Sequence, residues 1–344
     1  MRRINGEQAL ANRKGNPGRN WNNAASSSDL SDDPRDASRR IYDGFAQVRA
    51  RYDGPRLDLA DPVFAMGSCF AREIETALIG LGGNVVSIDD RIERPEFRDG
   101  EGEVRSTFFH RYTPRSMLQE FQRAFDEGPE WPPDALLFRL KKSDIYADFN
   151  FAGVDGADYS GAAVRVRREI ARDLVRQATT ARLVILTLGL IESWYHKPTG
   201  LYANAPTPGA LTRHVADFEL TLIDVDEAVA CLEEIHALLR RHHQDGAFQL
   251  VVTVSPVPMS STFTSQDIVV ANAESKAVLR AAAGAFTARR ADTHYFPSYE
   301  MVTYSAPELA WRPDRVHVNG KLTRHIVKSF MRSYYQLWGS RWSN

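Results

Sequence analysis

Short apolar runs alternate along the chain with longer stretches in which apolar residues recur at helical spacing, so strands and helices are predicted in turn. Val63-Phe64-Ala65-Met66 reads as a buried strand, ended by Gly67. From Cys69 to Leu81 the apolar positions Phe70, Ile74, Ala77, Leu78 and Leu81 fit a helix, which Gly82-Gly83 stops. Val85 to Ile88 predicts a second strand. Thr113 as cap and Pro114 at the first helical position open a helix that turns Met117, Leu118, Phe121 and Phe125 inward. Further helices are predicted over 165–180, 224–243, 271–289 and 320–338. Between them, 182–188 and 248–254 read as buried strands and 293–296 as a short last one. Such alternation predicts a mostly parallel sheet with helices on both faces, a three-layer α/β/α fold. Ligands in such sheets bind at the carboxyl ends of the strands.

The pattern breaks in two places. Residues 1–38 are rich in Asn, Gly, Ser, Arg and Asp, a composition that predicts a flexible arm, read plainly as a solvated extension and alternatively as a docking segment for a protein partner. Residues 39–56 follow as a short helix and linker, with 39–51 expected to be helical and to bury Ile41, Phe45 and Val48. Residues 129–160, rich in Pro, Gly and aromatics, read as an insertion over the sheet edge, a lid or substrate wall with strand-like pieces at 136–140 and 146–151. The remaining span, 57–338, makes the main domain.

Composition narrows the functional classes. A chain of 344 residues with 43% hydrophobic content can bury a sizeable core. Its net charge of −1 gives no global field for nucleic acid or an anionic membrane. Two cysteines make no disulfide framework, no apolar run reaches the ~18 residues of a membrane span, and no apolar stretch follows Met1-Arg2-Arg3 as in a secretory signal. The expectation is a cytoplasmic protein. The nine histidines show no metal-ligand spacing, so neither a metal nor a cofactor is expected.

Two short motifs carry chemistry. A strand that turns through Gly67 into a helix aims first-turn amides and the positive dipole end at a ligand, and Ser68-Cys69 stands at that turn. Read plainly, Ser68 is an N-cap and Cys69 a buried thiol; read functionally, one of them is a nucleophile. Near the C-terminus, Asp314 precedes His317 by three residues, a spacing that lets the carboxylate hold Nδ1 and leave Nε2 for a nucleophile. The plain alternative is a capping aspartate and a solvated histidine. Cys231, by contrast, adjoins the apolar face of 224–243 and reads as a core thiol, and His242 and His243 suit the carbonyl end of that helix.

Gly67-Ser68-Cys69-Phe70-Ala71 resembles the signature of the GSCFA-domain family, which is similar to the SGNH (GDSL-type) esterases. The resemblance extends over roughly residues 57–335 and takes in Asp314-Arg315-Val316-His317 as the Asp-x-x-His block. It implies a flavodoxin-like α/β/α fold and acyl-ester chemistry, hydrolysis or acyl transfer, on a small-molecule or glycan ester such as an O-acylated carbohydrate. In the esterase register Cys69 takes the nucleophile position, with Ser68 as the alternative, His317 as base and Asp314 as its orienting group. The glycine of the second block is missing, and His110 stands near its place. The third block keeps Gly189 but has Ile191 at the asparagine position, followed by Glu192. Substitute donors to an oxyanion are the amides after Gly67, the Trp194 indole and Asn204. The missing asparagine also admits a glycan-binding module on a catalytically degraded scaffold.

Overall fold

A computed structural model describes residues 4–24, 28–42, 44–89, 109–129, 131–139, 145–151, 159–204, 206 and 211–336, without the side chains of Cys69, Ile145 and Tyr159. Parts of the predicted arm and insertion, and the predicted end of the last helix at 337–338, therefore lie outside the described residues. In chain order the elements are α1 (Gly6–Gly15), α2 (Ala37–Tyr42), β1 (Val63–Gly67), α3 (Cys69–Gly80), α4 (Pro114–Ala124), β2 (Leu137–Arg139), β3 (Ile145–Asp148) and β4 (Tyr159–Ser160). There follow α5 (Gly161–Arg176), β5 (Leu183–Leu188), β6 (Glu192–His196), β7 (Leu201–Ala203), β8 (Phe218–Leu222), α6 (Val225–His242) and β9 (Gln249–Val254). The chain closes with α7 (Ile268–Thr287), β10 (Thr293–Tyr295), α8 (Ser298–Thr303), α9 (Pro307–Ala310) and α10 (Gly320–Tyr334).

The central sheet runs β1-β5-β9-β10 and is parallel throughout, with Gly67 opposite Thr187 and Thr187 opposite Thr253 at its carboxyl edge. Side chains alternate between its faces. Phe64, Met66, Val184, Leu186, Leu250 and Val252 pack under α4, α5, α6 and α7. Val63, Ala65, Leu183, Ile185 and Val251 pack under α3, α8, α9 and α10. Both faces are thus covered by helices, the three-layer α/β/α arrangement that the run of strands and helices predicts.

Two departures have local causes. Val85 joins β1 by a single bridge, and Val86 donates to Val63 O, but Ala65 N then donates to the Ser87 hydroxyl instead of a backbone carbonyl. A side chain completes the edge there, so the predicted second strand does not form. The helix expected to reach residue 51 ends at Tyr42. Gly44, with φ of 113°, turns the chain into an extended strap that lays Phe45 and Val48 on the α10 side of the core.

The described part of the N-terminal segment touches the rest of the chain at a few points. α1 buries nothing, yet Ser31 and Asp36 are buried and hydrogen-bonded to each other, and Trp21 meets Tyr304 edge-on. The described part of the insertion forms the antiparallel sheet β2-β3-β4, which shares a small core with the antiparallel sheet β7-β6-β8 through Phe149, Leu201 and Phe218. Arg168 of α5 clamps it through the buried Asp148 carboxylate at 2.6 Å.

Candidate functional site

Gly67 sets the geometry of the carboxyl edge. Its φ of 143° lies in the region that favours glycine, and a Cβ there would fall 2.4 Å from Thr187 O. β1 therefore turns into α3 in direct contact with β5. Ser68 is the N-cap of α3, but its side chain makes no capping bond; it is 3% exposed and its Oγ has no hydrogen-bond partner among the described residues. Cys69 is the first helical residue, and its side chain lies outside the described residues. Ser68 N donates to Thr187 O and Ala71 N to Ser68 O, and the positive end of the α3 dipole lies at this edge.

Asp314 and His317 form a pair. Asp314 Oδ2 accepts from His317 Nδ1 at 2.6 Å, and Oδ1 accepts the backbone N–H groups of Val316 and His317 at 2.9 and 3.0 Å. The bond from His317, and then the two amides, hold the Asp314 carboxyl well below the usual carboxylate range. Both side chains are about half exposed, and Nδ1–H directed at Asp314 leaves Nε2 as the outward nitrogen. Asn319, not Asp314, caps α10, whereas His317 is exposed as the plain reading has it, with its Nδ1 held by a carboxylate. The loop is pinned by Arg312 N to His317 O and by a bridge from Trp311 to Val318, with Arg315 in the left-handed region. It borders an open depression of about 790 Å³ lined by Trp311, Arg312, Asp314 and Asn319.

The topology relates the two motifs. α10 ends beside Leu57, where Leu57 N donates to Tyr334 O, below the start of β1. It therefore starts at the carboxyl edge of the sheet, on the face that α3 also covers. The loop carrying His317 and the turn carrying Ser68 and Cys69 enter neighbouring helices at one edge.

The second- and third-block residues lie at the same edge. The chain from His110 to Tyr112 crosses from β1 to β5: His110 bridges Gly67, Arg111 N donates to Gly67 O, and Tyr112 O accepts from Gly189 N and Leu190 N. His110 is buried, with Nδ1 3.2 Å from the Tyr112 hydroxyl. Asn204 holds this crossing, donating to His110 O and accepting from Tyr112 N. Ile191 N donates to the Ser275 hydroxyl. Glu192 accepts from Thr262 Oγ1 and Phe263 N, and Trp194 meets the Phe263 ring edge-on at 5.0 Å. Gly189, Asn204 and Glu192 are thus engaged in tying loops together.

Three further residues escape sequence reasoning. Thr187 and Ser255 are buried at the ends of β5 and β9, and neither hydroxyl has a hydrogen-bond partner among the described residues. Both lie on the α3 face by strand alternation. Lys276 of α7 is buried and donates Nζ to Gly189 O and Val257 O, each at 2.8 Å. A hydroxyl inside the apolar run of β5, and a lysine on the inward spacing of Ser275 and Leu279, were the available signals. Cys231 is a free, buried thiol, as its helical position implies. Among the described residues no group of three or more His, Cys, Asp or Glu gathers as a metal site, and no helix is long and apolar enough to cross a membrane.

Comparison with known proteins adds one relationship. The GSCFA family model matches residues 62–330, which spans the sheet, both motifs and most of α10. No curated protein matches the chain.

Proposed function

Since the chain belongs to the GSCFA family, we propose that it is an acyl-transfer enzyme working at the Gly67 turn, with Cys69 as nucleophile, His317 as base and Asp314 orienting it. The observation that carries this reading is the Asp314–His317 pair at 2.6 Å, set at the edge and on the face where α3 begins. Ser68, whose buried hydroxyl has no hydrogen-bond partner among the described residues, is the alternative nucleophile, and the esterase register favours Cys69. In the reaction His317 takes the Cys69 proton, sulfur attacks the ester carbonyl, and the leaving alcohol takes that proton as the thioester forms. Water or an acceptor hydroxyl then gives its proton to His317 and breaks the C–S bond. The α3 amides stabilise the oxyanion in both steps. Trp194 and Phe263 supply an aromatic wall that suits a sugar ring, in keeping with an O-acylated carbohydrate.

Iodoacetamide labelling, followed by mass spectrometry and by hydrolysis of p-nitrophenyl acetate, tests this. Burial pushes the Cys231 thiol up to about 11, so at pH 8 it stays protonated and unlabelled in the folded protein. Cys69 should label first, and turnover should fall in proportion. Asp314→Asn should lower turnover at least tenfold with little change in Tm, since the side chain is exposed and an amide oxygen can still accept the two loop N–H groups.

One observation favours a second reading. Gly189 N donates to Tyr112 O, Ile191 N to Ser275, and Asn204 Nδ2 to His110 O, so the third-block donors are engaged within the fold. A glycan-binding module on the same scaffold would retain ligand when Cys69→Ala and Ser68→Ala are both tolerated, and that result would sink catalysis at this turn.

A further inference from the structure

The edge of the molecule opposite the Asp314–His317 loop carries a basic groove. Its walls are Pro34 and Arg40 at α2, the strap from Gln47 to Arg56, and the side of α10 turned away from the sheet. Arg40 comes from α2, Arg49 and Arg56 from the strap, and His325 and Arg332 from α10, around a cavity of about 370 Å³ whose described lining residues include no acid. Among the described residues none of these four arginines has a carboxylate within ion-pair distance.

Part of this charge serves the fold. Arg40 donates to Gln47 O and Arg35 O, at 2.5 and 3.1 Å. Arg56 donates to Arg332 O and Ser333 O, the carbonyl end of α10, while its guanidinium lies 5.9 Å from the Tyr52 ring. Arg49 and Arg332 have no hydrogen-bonded partner among the described residues.

Like charges therefore crowd from both walls. Burial, and next the Arg49 charge, lower the Arg40 pKa; Asp36 opposes this but is itself bonded to Ser31 Oγ and Asn23 N. Burial, and next the Arg332 charge, lower the His325 pKa; Lys328 adds to this and a bond with the Ala46 backbone opposes it. An anion in the groove would relieve that repulsion, and free guanidinium forks match phosphate oxygens in bidentate geometry. Cations on two facing walls favour a ligand with more than one anionic group. The volume suits a small molecule, and Tyr52 offers its organic part an aromatic surface.

We propose that this groove binds a small organic molecule carrying phosphate groups, at a site separate from the Gly67 turn. One of its walls precedes residues 62–330, so the site uses chain outside the span that the family model matches.

Titration calorimetry of the full chain with inorganic pyrophosphate at low salt tests the assignment. Saturable one-site binding is expected, weakening as salt is raised. Arg49→Glu combined with Arg332→Glu should weaken it at least tenfold without lowering Tm, because both side chains are exposed and hold no structural bond. The milder pair Arg49→Gln and Arg332→Gln should move affinity the same way by a smaller factor. Equal affinity in wild type and both variants would overturn the proposal. So would binding of phosphatidylserine vesicles without saturable pyrophosphate binding.

Discussion

Gly67 is the residue on which the carboxyl edge depends, and its requirement is steric on two counts. The backbone sits at a φ that side chains rarely adopt, and the space a Cβ needs is filled by Thr187 backbone and Cβ. Gly67→Ala should cost about 3 kcal/mol or more in urea unfolding, the scale of combined strain and overpacking. Gly82→Ala is the control: its φ is also positive, but nothing lies within 4 Å of the added carbon, so a loss nearer 1 kcal/mol is expected. Equal losses would mean that contact with β5 contributes nothing. The sequence marks Gly67 as a turn but is silent on why only glycine fits, because the obstructing atom belongs to a strand more than a hundred residues later. The Asp314–His317 bond spans one turn of chain, so its spacing allows it, but only beside the Gly67 motif is it preferred over a capping aspartate and a solvated histidine. The buried hydroxyls of Ser68, Thr187 and Ser255 come to one edge of the sheet through its register, and no local pattern announces them.

At the scale of elements, legibility follows the strength of the period. The run 183–188 is apolar apart from Thr187, and it becomes β5 within the central sheet. α4 begins where Thr113 and Pro114 place it, with a full capping box to Ser116. The stretch 85–88 fails as a strand because pairing depends on a partner edge, and Ser87 supplies a side chain where the ladder would need backbone. α7 begins at Ile268, with Asp267 as cap, ahead of the apolar spacing from Ala271; its first residues are exposed and leave no inward signal. That helix also carries Lys276, the link between the loops after β5 and β9. Lys276→Met should keep the fold but leave two carbonyls without this donor, at a cost of about 1–3 kcal/mol. Hydrogen exchange should quicken at residues 189–191 and 257–259 more than in β5 or β9 themselves. Uniform loss of protection would place Lys276 in the general core instead.

At the scale of the molecule, the span matched by the family model does not close its own core. The face under α3 and α10 is completed by Phe45, Val48, Tyr52 and Leu57, all ahead of residue 62. Ala46 is fully buried, and its N–H donates to the Ser305 hydroxyl at 2.8 Å. Gly44 O accepts from Ala306 N, so the strap is tied to the chain between α8 and α9 by backbone as well as by packing. α1, by contrast, buries no residue. Two truncations separate these roles. Removing residues 1–18 takes away α1 and little else, and stability in urea should change by no more than about 0.5 kcal/mol. Removing residues 1–50 strips Phe45, Ala46 and Val48 from the core and leaves the Ser305 hydroxyl without Ala46 N. On apolar burial alone that should cost about 3 kcal/mol. It also removes Arg40 and Arg49, so pyrophosphate binding should disappear, whereas turnover at the Gly67 turn should survive in the fraction that remains folded. If the longer truncation is as stable as the full chain, the strap is an accessory laid on a closed domain. A loss of about the expected size would make residues 44–59 part of the domain itself, and the folding unit would then begin well before residue 62.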